Sequence, residues 1–162
     1  MNDIEKGILA AKGEDYLAAM NLLMDAYNAG QFTTKGPKSA EALSYYGLCI
    51  ALVQKKYKLA IEFCQKAIEM NFYWPDHYAN LSRVYLAASM RRKAVETVEK
   101  GLSMFPEDKG LRRVRRELGV RSRPSVPFLD RANPVNRALG RSRHAAKVAA
   151  ARKRIEARQE ED

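Results

Sequence analysis

Residues 75–106 read PDHYANLSRVYLAASMRRKAVETVEKGLSMFP, and this stretch decides the fold. Pro75 and Asp76 suit the first turn of a helix, because proline presets φ and an acid meets the positive end of the helix dipole. Tyr78, Leu81, Ser82 and Tyr85 then fall on one face at helical spacing. Ser89 and Met90 break the pattern, and a second helix follows with Ala94, Val98, Gly101 and Leu102 before Pro106 ends the unit. The register recurs upstream. Arg91, Ala94, Val98 and Gly101 answer to Tyr57, Ala60, Cys64 and Ala67, and these to Tyr16, Ala19, Leu23 and Ala26. The steps are 34 and 41 residues. Small residues at fixed places in a repeat of about 34 residues mark a stack of helical hairpins, each burying its apolar face against the next.

The other two copies are less regular. Copy two has Leu43, Gly47 and Leu48 in its first helix, and Tyr57, Ala60, Ile61, Cys64, Ala67 and Ile68 in its second. It departs from the regular length by about one residue near Gln54-Lys55-Lys56, which predicts an irregular turn, and Phe72, Tyr73 and Trp74 stand where a closing proline would be. In copy one, Gly7 and Ala10 mark the first helix and Gly13 the turn. The link from Asn28 to Ser39 holds Gly30, Gly36 and Pro37 and reads as a surface loop. After Pro106, Asp108 can cap one more helix with Leu111, Val114 and Leu118 on its apolar face and Gly119 at its end. Repeat stacks need a terminal helix with a polar outer face. Arg112, Arg113, Arg115 and Arg116 supply it, either as a solvated cap or as the start of an anion-binding surface.

The order aromatic, leucine, small, tyrosine, alanine, apolar, small, proline runs through Tyr78, Leu81, Ser82, Tyr85, Ala94, Val98, Gly101 and Pro106. It resembles the tetratricopeptide repeat, over residues 1–119, most closely in copy three. The resemblance implies an all-α, right-handed helix-turn-helix repeat solenoid of three pairs and a capping helix, with a peptide groove lined by the first helix of each pair. Carried over position by position, that groove holds Ile8 and Lys12, then Ser44, Leu48 and Leu52, then Ala79, Arg83 and Leu86. Ser82, Ala94 and Gly101 are small because the helices of a pair approach there; a larger side chain would cost about 1–3 kcal/mol by overpacking. Some family members clamp a partner's C-terminal carboxylate with Lys and Asn. The equivalent places here are Ile4, Ile8 and Tyr45, with Asn80 alone remaining, so chaperone-tail binding is not expected.

Charge divides the 162-residue chain. From Met1 to Asp108, 13 basic residues balance 13 acidic ones, whereas from Lys109 to Arg158 there are 16 basic residues against Glu117, Asp130 and Glu156. The whole chain carries +10. This separates a neutral body, residues 1–119, from an extended proline-containing linker, 120–140, and a basic alanine-rich tail, 141–162, helical or disordered. Arg121, Pro124 and Pro127 match a short proline-ligand pattern that is common by chance, and Val126, Phe128 and Leu129 are expected to fold back near Leu48, Leu52 and Leu86. Asn133-Pro134-Val135-Asn136 reads as a helix start. Arg141, Arg143, Lys147, Arg152, Lys153, Arg154 and Arg158, helped by the four arginines of the cap, form a candidate polyanion-binding set for weak, sequence-independent contact with nucleic acid. The tail has no aromatic residue for base stacking.

Chemistry-bearing residues are sparse. His77 and His144 share no cluster with metal-ligand spacing, and His77 reads as a surface residue at a helix start. There is no phosphate-cradling glycine loop. Cys49 and Cys64 sit at apolar helical positions and read as buried free thiols in a reducing cytoplasm. Tyr45, Tyr46, Tyr73, Trp74 and Tyr78 read as core aromatics rather than a ligand patch. No apolar run approaches the ~18 residues of a membrane helix, and the N-terminus lacks a secretory pattern. The expectation is a non-enzymatic cytoplasmic adaptor without cofactor or metal, binding a protein or peptide in its groove. The alternative is a nucleic-acid- or ribosome-associated protein using the tail. A secretion chaperone on the same three-repeat plan is less favoured, because such chaperones are usually acidic.

Overall fold

A computed structural model describes residues 2–32 and 37–119, with short stretches at 133–135, 137–139, 141–142 and 145–146. The chain divides into two units, Met1–Val120 and Arg121–Asp162. The first unit is a series of helices: α1 (Asp3–Lys12), α2 (Tyr16–Asn28), α3 (Pro37–Cys49), α4 (Tyr57–Met70), α5 (Pro75–Ala87), α6 (Arg91–Met104) and α7 (Lys109–Glu117). Helices α1 and α2, α3 and α4, and α5 and α6 pair, the first helices lie side by side, and α7 packs on α5 and α6. The architecture is an all-α helical repeat; among the described residues there is no strand.

The small-residue register is what lets the pairs close. At Gly47 a Cβ would stand 2.8 Å from Cys64 Sγ and 2.9 Å from the Ala60 carbonyl oxygen, so α3 and α4 touch through backbone. The matching position in copy three is Ser82, whose hydroxyl donates to the Ala94 carbonyl at 2.8 Å across the α5–α6 contact. Ala19, Ala60 and Ala94 are all fully buried.

The extra residue of copy two is absorbed in a π-helical turn, Ile50–Gln54, that continues α3. Gly47 and Ala60 are 13 residues apart where Ser82 and Ala94 are 12 apart, and a π-turn holds one residue more than an α-turn. Each first helix then ends through a left-handed residue: Glu14 (φ 66°), Lys55 (φ 56°) and Ser89 (φ 61°). They keep the 41- and 34-residue steps of the repeat, and none is glycine.

Asp108 caps α7 by accepting from the Leu111 N–H at 2.7 Å, and Gly119, at φ 60°, stops it, which suits glycine because no Cβ opposes that conformation. Leu111, Val114 and Leu118 are buried on the stack. Two expectations are corrected. The link from Asn28 to Ser39 is not surface loop throughout: α3 begins at Pro37, Ser39 is buried, and Phe32 packs with Tyr27 and Tyr46 in the core. Of the aromatics expected in the core, Tyr45, Tyr46 and Tyr78 are buried, but Tyr73 and Trp74 are exposed, because the α4–α5 connection carries them outward. In the second unit, Asn133 accepts from the Val135 N–H at 3.0 Å, the pattern of a helix start.

Candidate interaction surface

The layer of first helices is where the candidate groove falls, and the structure divides its residues into two groups. Ser44 and Leu48 are fully buried, and Ile8 and Ala79 nearly so. Ser44 is held from both sides: its hydroxyl accepts from Asn80 Nδ2 at 3.1 Å and its carbonyl accepts from Cys64 Sγ at 3.5 Å. Residues 42–51 are buried without interruption, so the middle of α3 presents no free face. Ser44 and Leu48 therefore pack inside the stack and offer no surface to a ligand. Helix α3 is flanked by α1, α2, α4 and α5, which position arithmetic along one helix does not reveal.

Lys12, Leu52, Arg83 and Leu86 keep solvent contact. Lys12 pairs with Glu41 at 2.8 Å, lies 3.8 Å from Asp76, and stands over the Tyr45 ring. Tyr45 donates to Asp76 at 2.8 Å, and burial foremost, with the Asp76 carboxylate beside it, raises its phenol far above the usual range. This knot ties α1, α3 and α5 together. A second knot crosses from the first hairpin to the cap. Arg113 reaches Glu14 at 2.8 Å and Glu117 at 3.0 Å, and Glu117 lies 3.7 Å from Arg83. Tyr16 sits within the same field: burial raises its phenol, and Arg83, Glu14, Cys49 and Arg113 all act on it. Leu52 and Leu86, 34 residues apart, are 37% and 38% exposed.

The cap arginines are largely committed. Arg112 pairs with Glu107, Arg113 with Glu14 and Glu117, and Arg115 with Glu99 at 2.6 Å. Position in sequence could not show this, since Glu14 and Arg113 are 99 residues apart. Arg116 and Arg141 are exposed. Arg143, Lys147, Arg152, Lys153, Arg154 and Arg158 lie outside the described residues, as do the proline pattern and Val126, Phe128 and Leu129 with their expected fold-back. Other cations also lack a carboxylate partner among the described residues, Lys66, Lys100, Lys109 and Arg116 among them, and five stand at the starts of two second helices. Lys55, Lys56 and Lys58 open α4, and Arg91 and Lys93 open α6. They were missed, although basic residues at the start of both second helices, Lys55-Lys56-Tyr57-Lys58 and Met90-Arg91-Arg92-Lys93, were a readable signal.

His77 is not a surface residue. It is fully buried in the first turn of α5 with neither ring nitrogen hydrogen-bonded. Burial pulls its pKa down to about 4, against the pull of Asp76. Cys49 and Cys64 are buried free thiols, and burial pushes Cys49 up to about 12 and Cys64 higher still. Among the described residues no three His, Cys, Asp or Glu side chains are grouped to hold a metal ion, and no helix is long and apolar enough to cross a membrane.

No protein-family model matches the sequence, and no curated protein is similar to it in sequence. Solved structures are similar in fold. The Arabidopsis OM64 TPR domain superposes with a TM-score of 0.55 at 18% identity, covering 72% of this chain and 91% of that one. The Sgt2 TPR domain from Aspergillus fumigatus gives 0.54 at 16% identity, covering 83% and 91%. The first TPR of Spaghetti (RPAP3), bound to the HSP90 peptide SRMEEVD, gives 0.53 at 18% identity, covering 72% and 87%. With the repeated small-residue contacts, the three hairpins and the cap, these similarities establish that the chain has the tetratricopeptide-repeat fold.

Proposed function

We propose that this chain is a non-enzymatic adaptor that binds a segment of another protein at the accessible end of its first-helix layer. The observation that carries it is the pair Leu52 and Leu86, solvent-exposed at equivalent places of two successive repeats, with Arg83 one turn before Leu86 on α5. Rigid helices hold such a pair in fixed register, which is what recognition of an extended or helical partner needs. The RPAP3 domain of the same fold is bound to an HSP90 peptide, which supports peptide recognition as the kind of task. The partner differs in chemistry. Here Asn80 donates to Ser44, Tyr45 donates to Asp76, and Ile4 and Ile8 are buried, leaving no set of donors for a terminal carboxylate. The buried free thiols suit a reducing compartment such as the cytoplasm.

Affinity capture with the full chain and with residues 1–119, each treated with nuclease, tests this reading. Partners kept by the short chain and lost on Arg83→Glu with Leu86→Ser are the expected result. Partners that vanish with nuclease overturn it and favour a nucleic-acid role for the tail.

A further inference from the structure

The edge where first helices pass into second helices differs in character from the opposite edge. At this edge Leu52, in the π-turn after α3, and Leu86, near the end of α5, keep more than a third of their surface in water; Lys55 and Lys58 flank the start of α4, and Arg91 and Lys93 open α6. None of these four cations has an ion-pair partner among the described residues, although Arg92 beside them pairs with Glu96 and the cap arginines are nearly all paired. Lys93 also rests over the Tyr85 ring, whose hydroxyl accepts from Gln65 of α4, so both second helices meet at one aromatic. The large exposed aromatics Phe72, Tyr73 and Trp74 lie on the α4–α5 connection, at the other edge.

We infer that this turn edge of the second and third hairpins is a docking surface for an acidic amphipathic protein segment, its carboxylates met by the lysines and arginines and its apolar side chains by Leu52 and Leu86. The inference rests on the adaptor reading and names the partner's chemistry. Unpaired cations leave an uncompensated positive field that a carboxylate-bearing segment fills. Leucines beside them gain from burial against apolar groups and gain nothing from phosphate. A single-strand nucleic-acid site combines its cations with stacking aromatics. Here the exposed aromatics lie on the α4–α5 connection, away from Lys55, Lys58, Arg91 and Lys93, which favours protein over nucleic acid at this edge.

The test is fluorescence anisotropy of the full chain with a labelled synthetic helix bearing glutamates on one face and leucines on the other. Lys55→Gln, Lys58→Gln, Arg91→Gln and Lys93→Gln together are expected to weaken binding about tenfold. A charge-matched control, Lys6→Gln, Lys66→Gln, Lys100→Gln and Lys109→Gln, is expected to change it by less than about threefold. A peptide with alanines in place of its leucines should bind more weakly than the parent, and Leu52→Ser with Leu86→Ser should abolish that difference. Equal losses in the two quadruple variants overturn the inference, because net charge alone then accounts for binding. So does equal affinity for the alanine peptide, or a DNA duplex bound in preference to the peptide and released by the first quadruple variant. A chain that retains nuclease-resistant partners but ignores the peptide overturns this inference and leaves the adaptor reading standing.

Discussion

The first hairpin and the two that follow share one register of small residues, yet their second helices begin differently. Helix α2 starts behind Asp15, whose carboxylate accepts from the Ala18 N–H at 3.2 Å. Helices α4 and α6 start behind Lys56 and Met90, neither of which makes a side-chain cap. The backbone is nearly the same at all three places: φ and ψ are −83° and 76° at Asp15, −84° and 67° at Lys56, and −91° and 55° at Met90. Geometry therefore does not explain the missing caps. A capping carboxylate is worth about 1 kcal/mol, and cations in a first turn oppose the helix dipole. Close packing dictates the register in every copy, while the helix starts are free to answer to something other than stability. The docking inferred above would be that something in the second and third hairpins.

A second contrast is larger in energy. The third hairpin buries His77 where the second, in the same register, has the fully buried Ala42. The folded chain accepts the neutral imidazole, with its pKa at about 4 against an ordinary 6.5. The unfolded chain protonates first as pH falls. The titration of His77 thus costs nothing above pH 6.5 and lowers stability progressively between 6.5 and about 4, by about 3 kcal/mol in all. Urea melts of His77→Leu should show a smaller loss between pH 7 and pH 4 than the parent. An undiminished loss would place the titrating group elsewhere.

Packing substitutions come next. Ala94→Leu should destabilise the chain by about 1–3 kcal/mol, because the residue is fully buried beside the Ser82 contact. Gly47→Ala should cost a similar amount, because its methyl group would meet the Ala60 carbonyl, which cannot rotate away. An unchanged urea midpoint for either would show that the two hairpins do not share the close approach on which the comparison stands. The smallest effect belongs to the link from the first hairpin to the cap. Glu14 and Arg113 are both more than half exposed, so Glu14→Gln should lower stability by less than about 1 kcal/mol, and high salt should erase the difference. A loss that persists in molar salt would mean that the pair holds the stack closed rather than decorating it.

Much of this was readable before any coordinates. The recurrence of Ala19, Ala60 and Ala94 showed the pairs, the one-residue departure in length near Gln54 marked the irregular turn within a few positions of the π-turn, and Asp108 and Gly119 bounded the cap. These are local facts of spacing and turn chemistry. What stayed hidden depends on which helices meet. Ser44 and Leu48 look accessible by position and are enclosed by neighbouring helices. Arg112, Arg113 and Arg115 look like free charge and are paired with Glu107, Glu14 and Glu99. His77 looks like a surface residue from its place just behind Pro75 and Asp76 at a helix start, and only the packing around α5 shows that it is enclosed. The left-handed Glu14, Lys55 and Ser89 escaped notice because the residue type gives no warning where glycine is absent.

The most direct test of the account is the double variant Lys56→Asp with Met90→Asp, followed by urea denaturation and by anisotropy with the acidic amphipathic peptide. Both positions already hold the backbone conformation in which Asp15 caps α2. The account predicts a higher urea midpoint, with a gain of about 1 kcal/mol for each new cap, together with weaker peptide binding. A variant that is more stable and binds the peptide as tightly as the parent, or one that gains no stability, would contradict the claim that these two helix starts are shaped for docking.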